Sequence, residues 1–226
     1  VTVTFLAGAT TATATVPTTA DTIDELDETF TVAITSTTGT VGSTTDTATG
    51  TINDDDNAPT VASISPSNAV EGDAVVFNFT LSNPSAVDTT YTFTLTNGTA
   101  GSADYTTTSI TVTVPAGATT GTVSVPTTAD TIDEADESFS ISSGAVSSTG
   151  TINDNDDAPV VTIADASITE GGNLSFPVTL SNPSATDITV TLGFTNVTTA
   201  NGDYTTVPVT VTFLAGATTA TATVPT

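Results

Sequence analysis

The first eighteen residues of the chain, VTVTFLAGATTATATVPT, return without a single change at 209–226, a step of 208 residues (209 − 1). Self-similarity on this scale demands a unit that can be strung along a chain, and so narrows the architectures open to it. Weaker repeats lie within that step. DTIDELDETF at 21–30 returns as DTIDEADESF at 130–139, and GTIND at 50–54 returns at 150–154. TLSNPSA at 80–86 returns at 179–185, and DYTT at 104–107 returns at 203–206. The unit is therefore a module of roughly 100 residues, a common domain size. Two variants alternate, because 30–49 is longer than 139–149, as a longer loop or hairpin would make it.

The acidic, proline-containing stretches DDDNAPT (54–60) and DNDDAPV (154–160) read as linkers. They divide the chain into the C-terminal half of a module (1–56), a complete module (57–156) and the N-terminal part of a third (157–226). On this phase the chain is a window on a longer array. The residues beyond Thr226 are then expected to resemble Thr19-Ala20-Asp21-Thr22-Ile23.

Inside the complete module the hydrophobic period is two. Val75, Phe77, Phe79 and Leu81 alternate with small or polar residues, and so do Tyr91, Phe93 and Leu95. Ile110, Val112 and Val114 follow the same rule, then Val123 and Val125, then Phe139 and Ile141. Threonine and serine fill the outward positions, which suits a solvated pleated face. Clusters of Gly, Asn, Pro and Asp separate the runs at sandwich-like intervals. The expectation is an all-β chain of tandem immunoglobulin-like antiparallel sandwiches, about seven strands each, forming an elongated rod.

Charge enters the argument next. The chain has 25 acidic residues and no Lys, Arg or His, giving a net charge of −25. Nucleic acid and anionic membrane surfaces would be repelled. No run of apolar residues is long enough to insert directly into a membrane. Carboxylates that merely solvated a surface, as on a halophilic protein, would be spread over outward strand positions. Threonine occupies those places instead, and the run AVVFNFTLS (74–82) carries no charge. The acids gather at Glu71 and Glu170, at Asp104 and Asp203, in the DTIDE loops and in the TINDxD endings. In a sandwich, loops from different parts of the chain gather at each end, so several of these clusters can converge. Two carboxylates about 5 Å apart repel by roughly 1–3 kcal/mol. Calcium, which takes six to eight oxygen ligands from flexible loops, relieves that repulsion better than magnesium. Without Cys or His, zinc and copper sites are not expected.

The order E-G, DYT, a strand with PAGATT, D-x-x-D-E-x-D-E-x-F and finally GTINDxD resembles the Calx-β repeat over the whole chain. That module occurs in sodium–calcium exchangers, cell-surface receptors and very large bacterial adhesins. The resemblance implies a sandwich that binds Ca2+ at the pole near the next module. It assigns the complete site to Glu71, Asp104, Asp130, Glu134, Glu137, Asp154 and Asp156. The first half-module would contribute Asp21, Glu25 and Glu28 with the terminal acids Asp54, Asp55 and Asp56; the third would contribute Glu170 and Asp203. The complete module departs from the exchanger pattern at Asn155, in the middle of the three terminal acids. Asp24, Asp27, Asp133 and Asp136 match no ligand position and are expected to be solvated.

The function this implies is a calcium-rigidified spacer or filament stalk of a large bacterial extracellular or cell-surface adhesin. Its partners would be neighbouring repeats and other copies in a fibre. The alternatives are a calcium-sensing regulatory module, as in the exchangers, or a cadherin-like adhesion repeat, to whose linker TINDND followed by AP is similar. Catalysis is not expected, because the usual bases and nucleophile activators are missing. A glycosidase would also need aromatic platforms, and the chain has no Trp. Sequons at Asn78, Asn97, Asn173 and Asn196 are what chance provides in so threonine-rich a chain.

Overall fold

Alternation becomes burial most plainly in β5 (Val75–Leu81), where every second residue is buried and its neighbours face water. A computed structural model describes residues 1–42, 46–105, 109–199 and 202–226, and among these it contains no α-helix. The all-β class follows from what this chain can bury, since period-two stripes fit only a pleated face.

In the complete module, β3 (Val61–Ile64), β5 and β8 (Thr120–Val125) form one sheet, in the order β3-β5-β8. The second sheet has the order β4-β10-β9-β6-β7, from β4 (Ser67–Val70), β10 (Val146–Asn153), β9 (Glu137–Ser143), β6 (Thr89–Asn97) and β7 (Ile110–Val114). The opening stretch thus switches sheets between β3 and β4, across Pro66, which has no N–H to continue a ladder. The switch leaves β4 paired with β10 in parallel, a departure from the expected purely antiparallel pattern. Among the described residues it also gives the module eight strand segments where about seven were expected.

The sheets meet through aromatic rings. Phe77 stands edge-on to Phe139, with ring centroids 5.9 Å apart, and Phe79 packs edge-on to Tyr91 at 6.3 Å. Two glycines make room for these rings. A Cβ on Gly121 would lie 2.5 Å from Phe79, and one on Gly150 2.6 Å from Phe139 and 2.7 Å from Phe77. Each buried aromatic contributes roughly 1.5–3 kcal/mol of apolar transfer, which explains how a chain without disulfides can hold a sandwich.

The described residues gather into two compact units. One holds Val1–Ile64, Asn78–Thr92 and Thr111–Gly121; the other holds Ser65–Phe77, Phe93–Ile110 and Thr122–Thr226. The first unit includes a hairpin of β1 (Glu28–Ala33) and β2 (Thr47–Ile52), with Phe30 opposite Gly50. Residues 1–27 contain no strand. The second unit includes β11 (Val161–Ile163), β12 (Asn173–Leu180) and β15 (Thr219–Pro225) in one sheet. There β13 (Ile188–Leu192) pairs with β14 (Val209–Phe213), and Val178, Leu180, Val211, Phe213 and Ala222 form the local core.

Candidate metal centre

The acids of the complete module come from four places in the chain. Glu71 follows β4, where the Glu71 N–H donates to the Asn153 carbonyl at 3.0 Å and continues the parallel pairing with β10. Asp104 lies in the loop before Tyr105, and its Oδ2 accepts the Gly101 N–H at 2.6 Å. Asp130 opens the DTIDE loop by accepting the Ile132 N–H at 2.7 Å, a turn that Asp side chains favour. Glu137 begins β9, and Asp154 and Asp156 leave the end of β10.

Folding brings six of these residues into two triads. Glu71, Asp130 and Asp156 offer oxygens all within 4.8 Å of one another, and so do Asp104, Glu134 and Glu137. Asp154 belongs to neither triad, yet its charge reaches Glu134. Glu71 is buried, with 7% of its surface exposed, and its Oε1 accepts the Asp130 N–H at 3.4 Å. Asn155 Nδ2 donates to the Glu71 carbonyl at 3.4 Å, so the residue that departs from the acidic pattern ties the module's end to the turn after β4.

Electrostatics make this arrangement expensive without a cation. Burial, followed by Asp104 as hydrogen-bond partner and charge, pushes the Glu137 carboxyl up to about 7. Burial raises Glu134 too, aided by the charges of Asp130, Asp104, Asp154 and Asp156. Glu71 is raised by burial, against the opposing pull of the Asp130 N–H. Among the described residues, the buried carboxylate oxygens Glu137 Oε2, Asp154 Oδ1 and Asp156 Oδ2 have no hydrogen-bond partner. Buried polar atoms are ordinarily satisfied. Acceptor-only oxygens that face one another are satisfied together by a proton, a cation or a bridging water that donates to both. The donor set is all oxygen and comes from loops, which fits a hard divalent ion.

In the first half-module, Asp21, Glu25, Glu28, Asp54, Asp55 and Asp56 line one cleft of about 60 Å³. Partial loss of water, then the neighbouring acids, raises Glu25 and Asp56. In the third module Glu170 and Asp203 line a larger, mostly apolar cavity of about 510 Å³ and belong to no triad among the described residues.

Four acids expected to be solvated are structural. Asp27 Oδ1 accepts the Asp54 N–H at 3.0 Å, and Asp136 Oδ1 accepts the Asp154 N–H at 3.1 Å, so each fastens a DTIDE loop to a TIND ending. Asp24 reaches the following module. Its N–H donates to the Pro84 carbonyl at 3.1 Å, its carbonyl accepts the Ala86 N–H at 2.9 Å, and its Oδ2 accepts Ser85 Oγ–H at 2.9 Å. Asp133 repeats the backbone pair with Pro183 and Ala185, at 3.1 and 3.0 Å. Ser85 and Ser184, at 3% and 4% exposure, are buried at these contacts. Both acids and both NPSA loops recur together in the sequence, but a loop–loop contact has no hydrophobic period to mark it.

Fold and site define a class: a β-sandwich module with clustered carboxylates that could hold a metal ion. Matches to the Calx-beta domain cover residues 1–56, 54–153 and 154–226, and the chain belongs to the Calx-β domain family. Calx-β domains are calcium-binding modules. Among solved structures, the calcium binding domain CBD12 of CALX1.1 is 17% identical. It covers 70% of this chain and 71% of its own, with a TM-score of 0.38. The apo-form Calx CBD1 domain is 16% identical, covering 41% of this chain and 98% of its own, with a TM-score of 0.36. No curated protein matches the chain.

Proposed function

We propose that the chain is a calcium-rigidified structural repeat, a stretch of the stalk of a large bacterial extracellular or cell-surface adhesin or fibre. The observation that carries this reading is the pairing of buried, unpartnered carboxylate oxygens with a loop that also grips the next module. Asp130 and Glu134, one from each triad, flank Asp133, whose backbone holds Pro183 and Ala185. Glu71, Asp104, Asp130, Glu134, Glu137, Asp154 and Asp156 would hold Ca2+. The bound ion supplies positive charge that cancels their repulsion and bridges the DTIDE loop to the module's end. The loop, once held at Asp130 and Glu134, presents the Asp133 backbone in the geometry that the next NPSA loop needs.

The exact return of eighteen residues after a 208-residue step favours a spacer over a sensor, which needs only one or two modules. Modules joined by short linkers would string into a thin rod with contacts mainly between neighbours. Threonine-covered faces offer little apolar area for lateral bundling. Millimolar extracellular calcium suits even weak sites of this kind. The test is calorimetric titration with calcium, followed by melting in calcium and in chelator. Ions bound only by the folded state stabilise by RT ln(1 + [L]/Kd), about 2.7 kcal/mol at a hundredfold excess over Kd. No heat on titration, together with coincident melting curves, would refute the proposal. A regulatory module is the second reading. A parent chain with one or two such modules beside a transport domain would favour it.

A further inference from the structure

The loop SNPSA occurs twice, at 82–86 and 181–185, and makes the same set of contacts both times. We propose that it is a socket for the preceding module, in which Asn83 and Asn182 are the positioning residues that tie the linker and the preceding DTIDE loop to one carbonyl.

Two segments of chain enter the first socket. One is the linker: Asn83 Nδ2 donates to the Asn57 carbonyl at 2.8 Å, Ser82 Oγ accepts the Thr60 N–H at 3.0 Å, and the Ser82 N–H donates to the Thr60 carbonyl at 2.9 Å. The other is the DTIDE loop, whose Asp24 N–H donates to the Pro84 carbonyl at 3.1 Å. The two meet at Pro84, because Asn83 Nδ2 also donates to that carbonyl, at 3.3 Å. A carbonyl has two lone pairs and a side-chain amide has two N–H donors, so one asparagine can join both segments. Ser82 Oγ–H donates to Asn83 Oδ1 at 2.6 Å, which holds the amide with its nitrogen towards the carbonyls. Proline fixes its own φ and so steadies the carbonyl that both segments share.

The second socket repeats every one of these links. Asn182 Nδ2 donates to the Asp157 carbonyl at 2.8 Å and to the Pro183 carbonyl at 3.4 Å, where the Asp133 N–H arrives at 3.1 Å. Ser181 Oγ accepts the Val160 N–H at 2.9 Å and donates to Asn182 Oδ1 at 2.6 Å. Both loops are braced from behind, by the Gly117 N–H on the Ser85 carbonyl at 2.8 Å and the Gly216 N–H on the Ser184 carbonyl at 2.9 Å. The linker residue changes from Asn57 to Asp157, and the stretch between DTIDE loop and linker is longer in the first module than in the second. The contacts do not change with either, so the socket reads the backbone of the linker and not its side chains or the length of chain before it. Asn83 and Asn182 bond to no carboxylate of the two triads. The socket therefore goes beyond the function proposed above and does not rest on it.

Amide hydrogen exchange of the 226-residue chain, read residue by residue by NMR in calcium and in chelator, tests the proposal. Asn83→Ala removes no group that Asp24 or Ala86 bonds to, yet it should speed exchange at both amides by roughly fivefold, the effect of one lost hydrogen bond passed across the joint. Asp133 and Ala185, in the other joint of the same molecule, should keep their parent rates. Asn83→Asp keeps the acceptor for Ser82 but has no N–H to donate, and should behave as Asn83→Ala does. Asn182→Ala should give the mirror result, faster exchange at Asp133 and Ala185 only, and serves if the first variant does not fold. Acceleration confined to the altered joint, in either buffer, supports the socket. Parent rates at Asp24 and Ala86 in both buffers, or equal acceleration in both joints, would overturn it. Failure of the calcium reading would show separately, as parent rates at Asp24 and Asp133 that are the same in calcium and in chelator.

Discussion

Glu137→Gln is a perturbation whose sign should reverse with calcium. Burial and Asp104 raise the Glu137 carboxyl from 4.5 to about 7 in the folded chain. The folded state therefore holds this proton more tightly than the unfolded state does. The resulting stability is fully present below the unfolded value, near 4.5, and is lost as pH rises through about 7. A shift of this size corresponds to about 3.4 kcal/mol at 1.36 kcal/mol per unit, and solvent screening of a partly exposed group reduces it to about 1–2 kcal/mol. In chelator, the parent chain should accordingly melt higher at pH 5.5 than at pH 8. Glu137→Gln should melt above the parent at pH 8, by about 4–8 °C per kcal/mol for a module of this size, and match it more closely at pH 5.5. In saturating calcium at pH 8 the order should invert, because the variant has lost a ligand. Calcium binding to the parent near pH 7 should also release protons, measurable as buffer-dependent heat. Thermal melts by circular dichroism at both pH values, with and without calcium, check this. A variant that melts with the parent in chelator at both pH values, and still gains the parent's full stabilisation from calcium, would refute the electrostatic reasoning.

Ser85→Ala removes the hydroxyl that donates to Asp24 and should destabilise the contact between modules by about 1 kcal/mol. Limited proteolysis within 54–60 should then speed up severalfold while the melting of the complete module stays put. Gly150→Ala places a methyl against Phe139 and Phe77 and should cost about 1–3 kcal/mol, read from urea unfolding with the slope unchanged. Glu71→Gln removes a buried carboxylate from its triad and should weaken calcium binding at least tenfold by calorimetry, more than Asp157→Asn at an exposed linker position.

The sequence by itself determined the class of the protein and the positions of its acids. Period-two runs such as Val75-Phe77-Phe79-Leu81 permit only a pleated strand, and a −25 chain that concentrates carboxylates at turns points to a cation. The grouping of those acids was not legible. Glu71, Asp130 and Asp156 are far apart in the chain, and only the β4–β10 pairing and the fold of the DTIDE loop put them within one ion's reach. Nor could the sequence show that Asp24 and Asp133 hold the next module, because such loop contacts depend on backbone groups that every residue carries. The clearest division lies in the repeated segment with which the chain begins. VTVTFLAGATTATATVPT forms two strands at 209–226, where β12 and β13 supply hydrogen-bond partners and an apolar face. The same eighteen residues at 1–18 form none, and Phe5 there is 60% exposed where its twin Phe213 is 1% exposed. Local pattern sets which face a strand would bury; whether the strand forms is decided by a neighbour, because an isolated strand leaves its N–H and C=O groups and its apolar side chains to water.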